Sequence, residues 1–246
     1  MKNVARIVLL STMLFVTAAT QAQVNVRVQA RIAPPALEVY TQPLCPGDGY
    51  IWTPGYWAYG ADGYYWIPGV WVMPPSAGLL WTPGYWGFAD GIYDWYPGYW
   101  GATVGYYGGV DYGFGYFGTG FSGGRWENGH FFYNTAVWRV NNKVVHNTYK
   151  DRSVRQNYSR ANHASFNGVG GVGYKPQANE RREDEARQVR ATNEQAAHEQ
   201  AHIQDKGQFA SPQQIHPSAA SMDRIGGNHF NAGGHMMGGG ARGGRH

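Results

Sequence analysis

One hexapeptide occurs four times between residues 50 and 101: WTPGYW from Trp52 to Trp57, WIPGVW from Trp66 to Trp71, WTPGYW from Trp81 to Trp86 and WYPGYW from Trp95 to Trp100. Nothing else in the chain restricts its fold as much. The copies start 14, 15 and 14 residues apart, too short for a helical repeat and suited to one strand plus one turn. Trp and Tyr favour the pleated, half-buried surface of a sheet. Ala61-Asp62-Gly63 separates copies one and two, and Ala89-Asp90-Gly91 separates copies three and four. Asp and Gly tolerate the backbone angles of tight turns, so Asp62, Gly63, Asp90 and Gly91 are the expected turn residues. Folding each pair about its turn sets Trp57 against Trp66 and Trp52 against Trp71, then Trp86 against Trp95 and Trp81 against Trp100. Two β-hairpins with cross-strand indole pairs follow, each pair contributing about 0.2–1 kcal/mol.

Each copy also contains Pro-Gly. Proline cannot donate to a ladder, and glycine within a strand often marks a bulge. The two tryptophans of a copy are five residues apart, which in a regular strand puts them on opposite faces. One bulge residue would restore them to one face. The alternative is a type II turn at Pro-Gly, whose twist suits a two-residue hairpin poorly. Eight indoles, about 150–250 Å² each, exceed what one short face easily covers. They form either a core or an exposed strip that would mark a binding surface. Indole faces stack on apolar sugar faces and on cations, so these eight tryptophans are the candidate ligand-binding residues.

Residues 1–22 have the parts of a secretory signal: Lys2 and Arg6, an apolar run from residue 7 to 19, and a small-residue cleavage site ending at Ala22. That run is shorter than the roughly 20 residues a membrane span needs, so the protein is expected to be exported rather than membrane-spanning. Cys45 is the single cysteine and reads as a small buried residue. The net charge of +4 is segregated, with no Lys or Arg from residue 32 to 124 and a basic stretch from Arg139 to Arg160. A solvated strand face explains that stretch more simply than an anionic partner, and nucleic acid is not an expected ligand.

Residues 23–32 alternate as a half-exposed strand does, and the prolines of 33–49 indicate an extended connector. Residues 101–124 alternate aromatic and Gly, as a further pair of strands or as a packed loop. Glu127-Asn128-Gly129-His130 suits a hairpin turn. Ala136-Val137-Trp138, Lys143-Val144-Val145 and Ser153-Val154-Arg155 are strand-like. Residues 176–206 read as a polar helix with little to bury, or one ordered by a partner, and 207–246 as a disordered Gly/His tail. That helix carries His198-Glu199-Gln200-Ala201-His202, an H-E-x-x-H pattern whose histidines can ligate zinc with Glu as base. A zinc hydrolase needs a third ligand and a shaped cavity, and a repetitive Ala/Glu/Gln/His segment produces the pattern by chance. His198 and His202 are therefore a minor candidate, and no metal or other cofactor is expected.

The tandem copies, the lead-in Cys45-Pro46-Gly47-Asp48-Gly49-Tyr50-Ile51-Trp52 and Gly78-Leu79-Leu80-Trp81 resemble the bacterial YXWGXW (WxxGxW) repeat proteins. So do Phe131-Phe132-Tyr133-Asn134, Val145-His146-Asn147-Thr148-Tyr149 and Ser165-Phe166-Asn167-Gly168. The resemblance implies an exported Gram-negative envelope protein with no settled activity, and it supplies no catalytic residues. The expected fold is mainly β: a small antiparallel aromatic-rich sheet of bulged hairpins, then the polar helix and the tail. The expected units are a signal (1–22), a strand and connector (23–49), the repeat domain (50–101), a β extension (102–175), the helix (176–206) and the tail (207–246). The expected role is a non-enzymatic module, in the periplasm or at the cell surface, that presents an aromatic surface to envelope glycan, another envelope protein or its own copies. An outer-membrane-associated assembly protein is the remaining alternative.

Overall fold

The computed structural model describes residues 27–155, 163–177, 180, 187–210, 221–222, 224–225 and 229–230. The signal, the start of the first expected strand and most of the tail lie outside the described residues. The protein is mainly β, built of small sheets with mostly antiparallel pairing and one helix.

The first hairpin comprises β2 (Ile51–Thr53), β3 (Tyr56–Gly60), β4 (Gly63–Ile67) and β5 (Val70–Val72). The second comprises β6 (Leu80–Thr82), β7 (Tyr85–Ala89), β8 (Ile92–Tyr96) and β9 (Tyr99–Gly101). Every expected indole pairing is present: Trp52 with Trp71, Trp57 with Trp66, Trp81 with Trp100, and Trp86 with Trp95. Their rings meet at 5.3, 5.4, 5.2 and 5.3 Å between centroids, steeply inclined, as ring quadrupoles prefer.

The expected bulge is absent. Register runs unbroken from Ile51↔Val72 to Gly60↔Gly63 and from Leu80↔Gly101 to Ala89↔Ile92. Both strands are instead interrupted opposite one another at Pro-Gly. The antiparallel register carries Pro54 across from Gly69 and Gly55 across from Pro68, and it repeats this at Pro83–Gly84 and Pro97–Gly98. Pro-Gly is not a type II turn either, because none of these four glycines has positive φ, which that turn requires. They are glycines for lack of room. A Cβ on Gly69 would lie 2.5 Å from Cζ2 of Trp52, and one on Gly84 2.5 Å from Cζ2 of Trp95. Gly55 and Gly98 are crowded in the same way by Trp66 and Trp81. At each crossing two indoles therefore lie over two glycines, which gathers the tryptophans into one core without an inserted residue.

The two Ala-Asp-Gly triplets turn differently. Asp90 (φ 51°) and Gly91 (φ 79°) both have positive φ, whereas in the first hairpin only Gly63 does (φ 106°). Asn128 (φ 49°) and Gly129 (φ 78°) turn β12 (Gly124–Glu127) into β13 (His130–Asn134) as expected. The glycine-aromatic stretch forms a short pair, β10 (Asp111–Gly113) with β11 (Tyr116–Phe117). The other three strand-like pieces are not strands: 136–138 and 143–145 are turn and loop, and Ser153–Arg155 is 3-10 helix. Asn side chains divert the backbone there: Asn134 Oδ1 accepts Ala136 N–H, and Asn141 Oδ1 accepts Lys143 N–H. Among the described residues of this basic region the strand is instead β14 (Thr148–Tyr149), parallel to β13, so the described part of the stretch is not one solvated strand face.

Short elements bind the repeat domain to the rest. β1 (Gln29–Ala30) pairs with β8 and β15 (Phe166–Asn167) with β7. Trp86 Nε1 donates to the Trp57 carbonyl at 2.8 Å, joining the two hairpins through the core. The lead-in motif docks on the later family-like segments: Tyr133 donates its phenol to Gly47 O, and Asp48 meets His146 at 2.6 Å. Cys45 is buried as expected, and burial pushes its thiol up to about 12.

Candidate functional site

A cleft of about 720 Å³ opens beside the first hairpin. Its floor is the Pro-Gly crossing, represented by Gly55 and Trp66. Tyr40 and Leu37 of the connector, Asp111, Tyr112, Phe114 and Phe117 of the β10–β11 hairpin, Ala136 and Val137, and His163 form the walls. The lining mixes aromatic rings with polar side chains, among them Thr41, Asp111 and His163, and clefts of several hundred Å³ are a common form of small-ligand site.

Each wall is held. Tyr40 Oη accepts Gly55 N–H at 3.0 Å, and Tyr112 donates to Gly84 O at 2.5 Å. These two phenols serve backbone groups that the interrupted ladder leaves without strand partners. Burial raises both phenols well above their usual range, so they stay protonated. Phe114 is held at φ 49°, an outlier for a bulky residue. Its carbonyl accepts Trp138 Nε1 at 2.7 Å, and its ring lies 5.2 Å from Tyr40. Leu37 N–H donates to His163 O at 2.8 Å, closing the rim.

One group beneath the cleft and one in its wall stand out chemically. Trp66 is fully buried, and its Nε1 has no acceptor among the described residues. The Cζ2 atom of that ring lies over Gly55 in the floor. Asp111 accepts Gly113 N–H at 2.9 Å. Burial nevertheless raises its carboxyl above the usual range, against the lowering effects of that bond and of His163.

The hexapeptide that builds this floor has a known pattern. Residues 47–72 match the family model of the WXXGXW repeat in two copies. The chain carries WXXGXW repeats. No curated protein and no solved structure matches it. The matched segment is the lead-in and first hairpin, so the cleft is built on a WXXGXW pair.

The eight tryptophans of the four copies are not an exposed strip. Seven are buried: Trp52, Trp57, Trp66, Trp71, Trp81, Trp86 and Trp100. Trp95 is half-buried, stacked on Tyr56 at 5.1 Å. The chain after the repeats covers them: Trp138 packs on Trp71 at 4.9 Å, Phe114 on Trp52, and Gln195 Oε1 accepts Trp100 Nε1 at 2.8 Å. Only Trp66 lines the cleft. Sequence reasoning missed Tyr40, Asp111, Tyr112, Phe114 and His163, which come from separate segments with no local signal. Asp62, Gly63, Asp90 and Gly91 sit at the hairpin ends, away from it.

The expected polar helix is shorter than 176–206. It is α1 (Asn193–Ile203), opened by a capping box between Thr192 and Gln195 that the T-x-x-Q spacing signals. It does bury a face. His198 Nε2 meets Pro68 O at 3.0 Å, His202 Nδ1 meets His198 O at 2.7 Å, and Tyr56 donates to Glu199 Oε2 at 3.1 Å. Ile203 and Phe209 pack with Ala58, Tyr65 and Ile67 on the reverse side of the first hairpin. The HEQAH segment thus serves here as a docking face. No group of three potential metal ligands occurs among the described residues.

This docking makes stability depend on Glu199. Burial raises its carboxyl above the ordinary 4.5, with the Tyr56 hydrogen bond opposing. The folded state then holds the proton more tightly than the unfolded state. The cost is present at neutral pH and is relieved as pH falls through the raised value toward 4.5. Glu199→Gln is expected to be more stable than the parent at pH 7, with the gap closing on acidification; paired thermal melts across this range check it.

Proposed function

We propose that this is a non-enzymatic, exported envelope protein whose cleft beside the first WXXGXW pair binds a saccharide. The cleft's lining, Tyr40, Tyr112, Phe114 and Phe117 beside the polar Asp111 and His163, carries the reading. Sugars offer apolar C–H faces to Tyr40, Tyr112 and Phe114, and hydroxyl groups to Asp111 and His163. The buried indoles elsewhere are scaffold in this view, and the ligand meets tyrosine and phenylalanine rather than a tryptophan strip. Export is supported by the charged and apolar pattern of residues 1–22. Among the described residues no helix is long and apolar enough to cross a membrane.

Calorimetric titration of the mature protein with soluble N-acetylglucosamine oligomers is the test. Saturable binding is expected, weakened about tenfold by Tyr40→Ala, because stacking of this kind contributes about 1 kcal/mol or more. Absence of binding to any envelope saccharide would remove the reading. Fractionation of the producing cells checks export separately.

A further inference from the structure

We propose that the junction between the lead-in motif and the basic segment is a docking surface for an anionic lipid bilayer; this is independent of the saccharide reading above. Residues 44–49 and 139–149 are tied together there. Cys45 N–H donates to Arg139 O at 3.0 Å, Tyr133 donates its phenol to Gly47 O at 3.1 Å, and Asp48 Oδ1 accepts His146 N–H at 2.9 Å. Tyr133 also pairs with Thr148, the first residue of β14. Large apolar side chains are exposed at this junction. Leu44, Met73 and Val144 are three of the eight exposed large hydrophobic residues among those described. Leu44 precedes Cys45. A Cβ on Gly49 would lie 3.2 Å from Met73 Cε, and one on Gly47 would lie 3.9 Å from Val144 O. A single exposed apolar residue is ordinary, but three about one short loop mark a contact surface.

The charge beside them is positive. Arg139, Lys143, Lys150 and Arg152 are exposed, and none makes an ion pair among the described residues. The single acid within residues 139–152 is Asp151, and Asp48 is bonded to His146. Basic side chains near a membrane surface are drawn to anionic headgroups, and apolar side chains beside them gain by entering the boundary of the acyl region. A soluble anionic polymer would use the cations and leave Leu44, Met73 and Val144 in water. A bilayer uses both, which favours lipid.

The experiment is co-sedimentation of the mature protein with vesicles of phosphatidylethanolamine and phosphatidylglycerol, against vesicles of phosphatidylcholine alone. Partitioning onto the anionic vesicles is expected to be about tenfold stronger and to weaken as ionic strength rises. Lys143→Gln and Lys150→Gln should each weaken it about fivefold, and Val144→Ser about threefold. All three side chains are exposed, and an unchanged near-ultraviolet circular dichroism spectrum confirms that the variants fold. No partitioning onto either vesicle, equal partitioning onto both, or no loss in the double variant K143Q/K150Q overturns the proposal. A loss in K143Q with none in V144S overturns the lipid assignment in favour of a soluble anionic polymer.

Discussion

Replacing Trp86 with alanine is expected to lower the free energy of unfolding by about 3–5 kcal/mol, the largest single-residue effect anticipated in this chain. Trp86 is buried, and its ring touches Trp95 at 5.3 Å and Tyr64 at 5.3 Å. Truncation removes those contacts and leaves a cavity where the hairpins meet. It also removes the 2.8 Å bond from Nε1 to the Trp57 carbonyl, leaving that carbonyl without its donor at about 1–3 kcal/mol. Domains have only about 5–15 kcal/mol in total, so a large part of the margin is lost. Trp86→Phe separates the two causes. It fills much of the cavity while losing the hydrogen bond, and should cost about 1–3 kcal/mol. Urea unfolding followed by near-ultraviolet circular dichroism reads both. A W86A midpoint shift equivalent to under about 1 kcal/mol would mean that the hairpins are stable apart and that the junction contributes little.

The hairpins were legible because the hexapeptide complements itself. Written backwards, W-x-P-G-x-W still sets Trp against Trp and Pro against Gly, so antiparallel pairing about Asp62–Gly63 and Asp90–Gly91 satisfies every position at once. The crossing was misread for a physical reason. The parity argument for a bulge assumes a continuous extended strand between Trp52 and Trp57. Pro54 and Gly55 break that continuity opposite Pro68 and Gly69, and the ladder resumes in the same register. Residue spacing then no longer reports which face a side chain occupies.

The cleft and the helix show two other limits. Tyr40, Trp66, Asp111, Phe114 and His163 converge from segments over 120 residues of chain, and none has a local pattern that marks it. α1 lacked an apolar stripe, so hydrophobic periodicity could not reveal its packed face. The face is built of His198 and His202, each satisfied by a carbonyl, which lets polar side chains be buried at little cost. Burial of the tryptophans was one of two readings open from the sequence. What decided it were partners outside the repeat, such as Trp138 over Trp71 and Gln195 on Trp100.

The role of glycine at the crossings yields the second large prediction. Gly84→Ala is expected to cost about 3 kcal/mol, the upper part of the range for overpacking. The added methyl would sit 2.5 Å from Trp95 Cζ2 and 2.8 Å from the Gly98 nitrogen. The nitrogen is backbone of the facing strand and cannot move without opening the crossing. The indole is locked against Trp86. Backbone strain is not the cause, since Gly84 does not have positive φ, so the cost should depend on the neighbouring ring. Trp95→Phe removes the Cζ2 edge, and the double variant G84A/W95F should be more stable than the sum of the single losses by about 0.5–3 kcal/mol. Gly173→Ala, at a position with ordinary φ and open space around it, should stay within about 0.5 kcal/mol of the parent. Strict additivity of the Gly84 and Trp95 changes would show that the methyl is resisted by the backbone alone. The spacing of tryptophan and glycine in the WXXGXW repeat would then need an explanation other than an indole seated on a glycine.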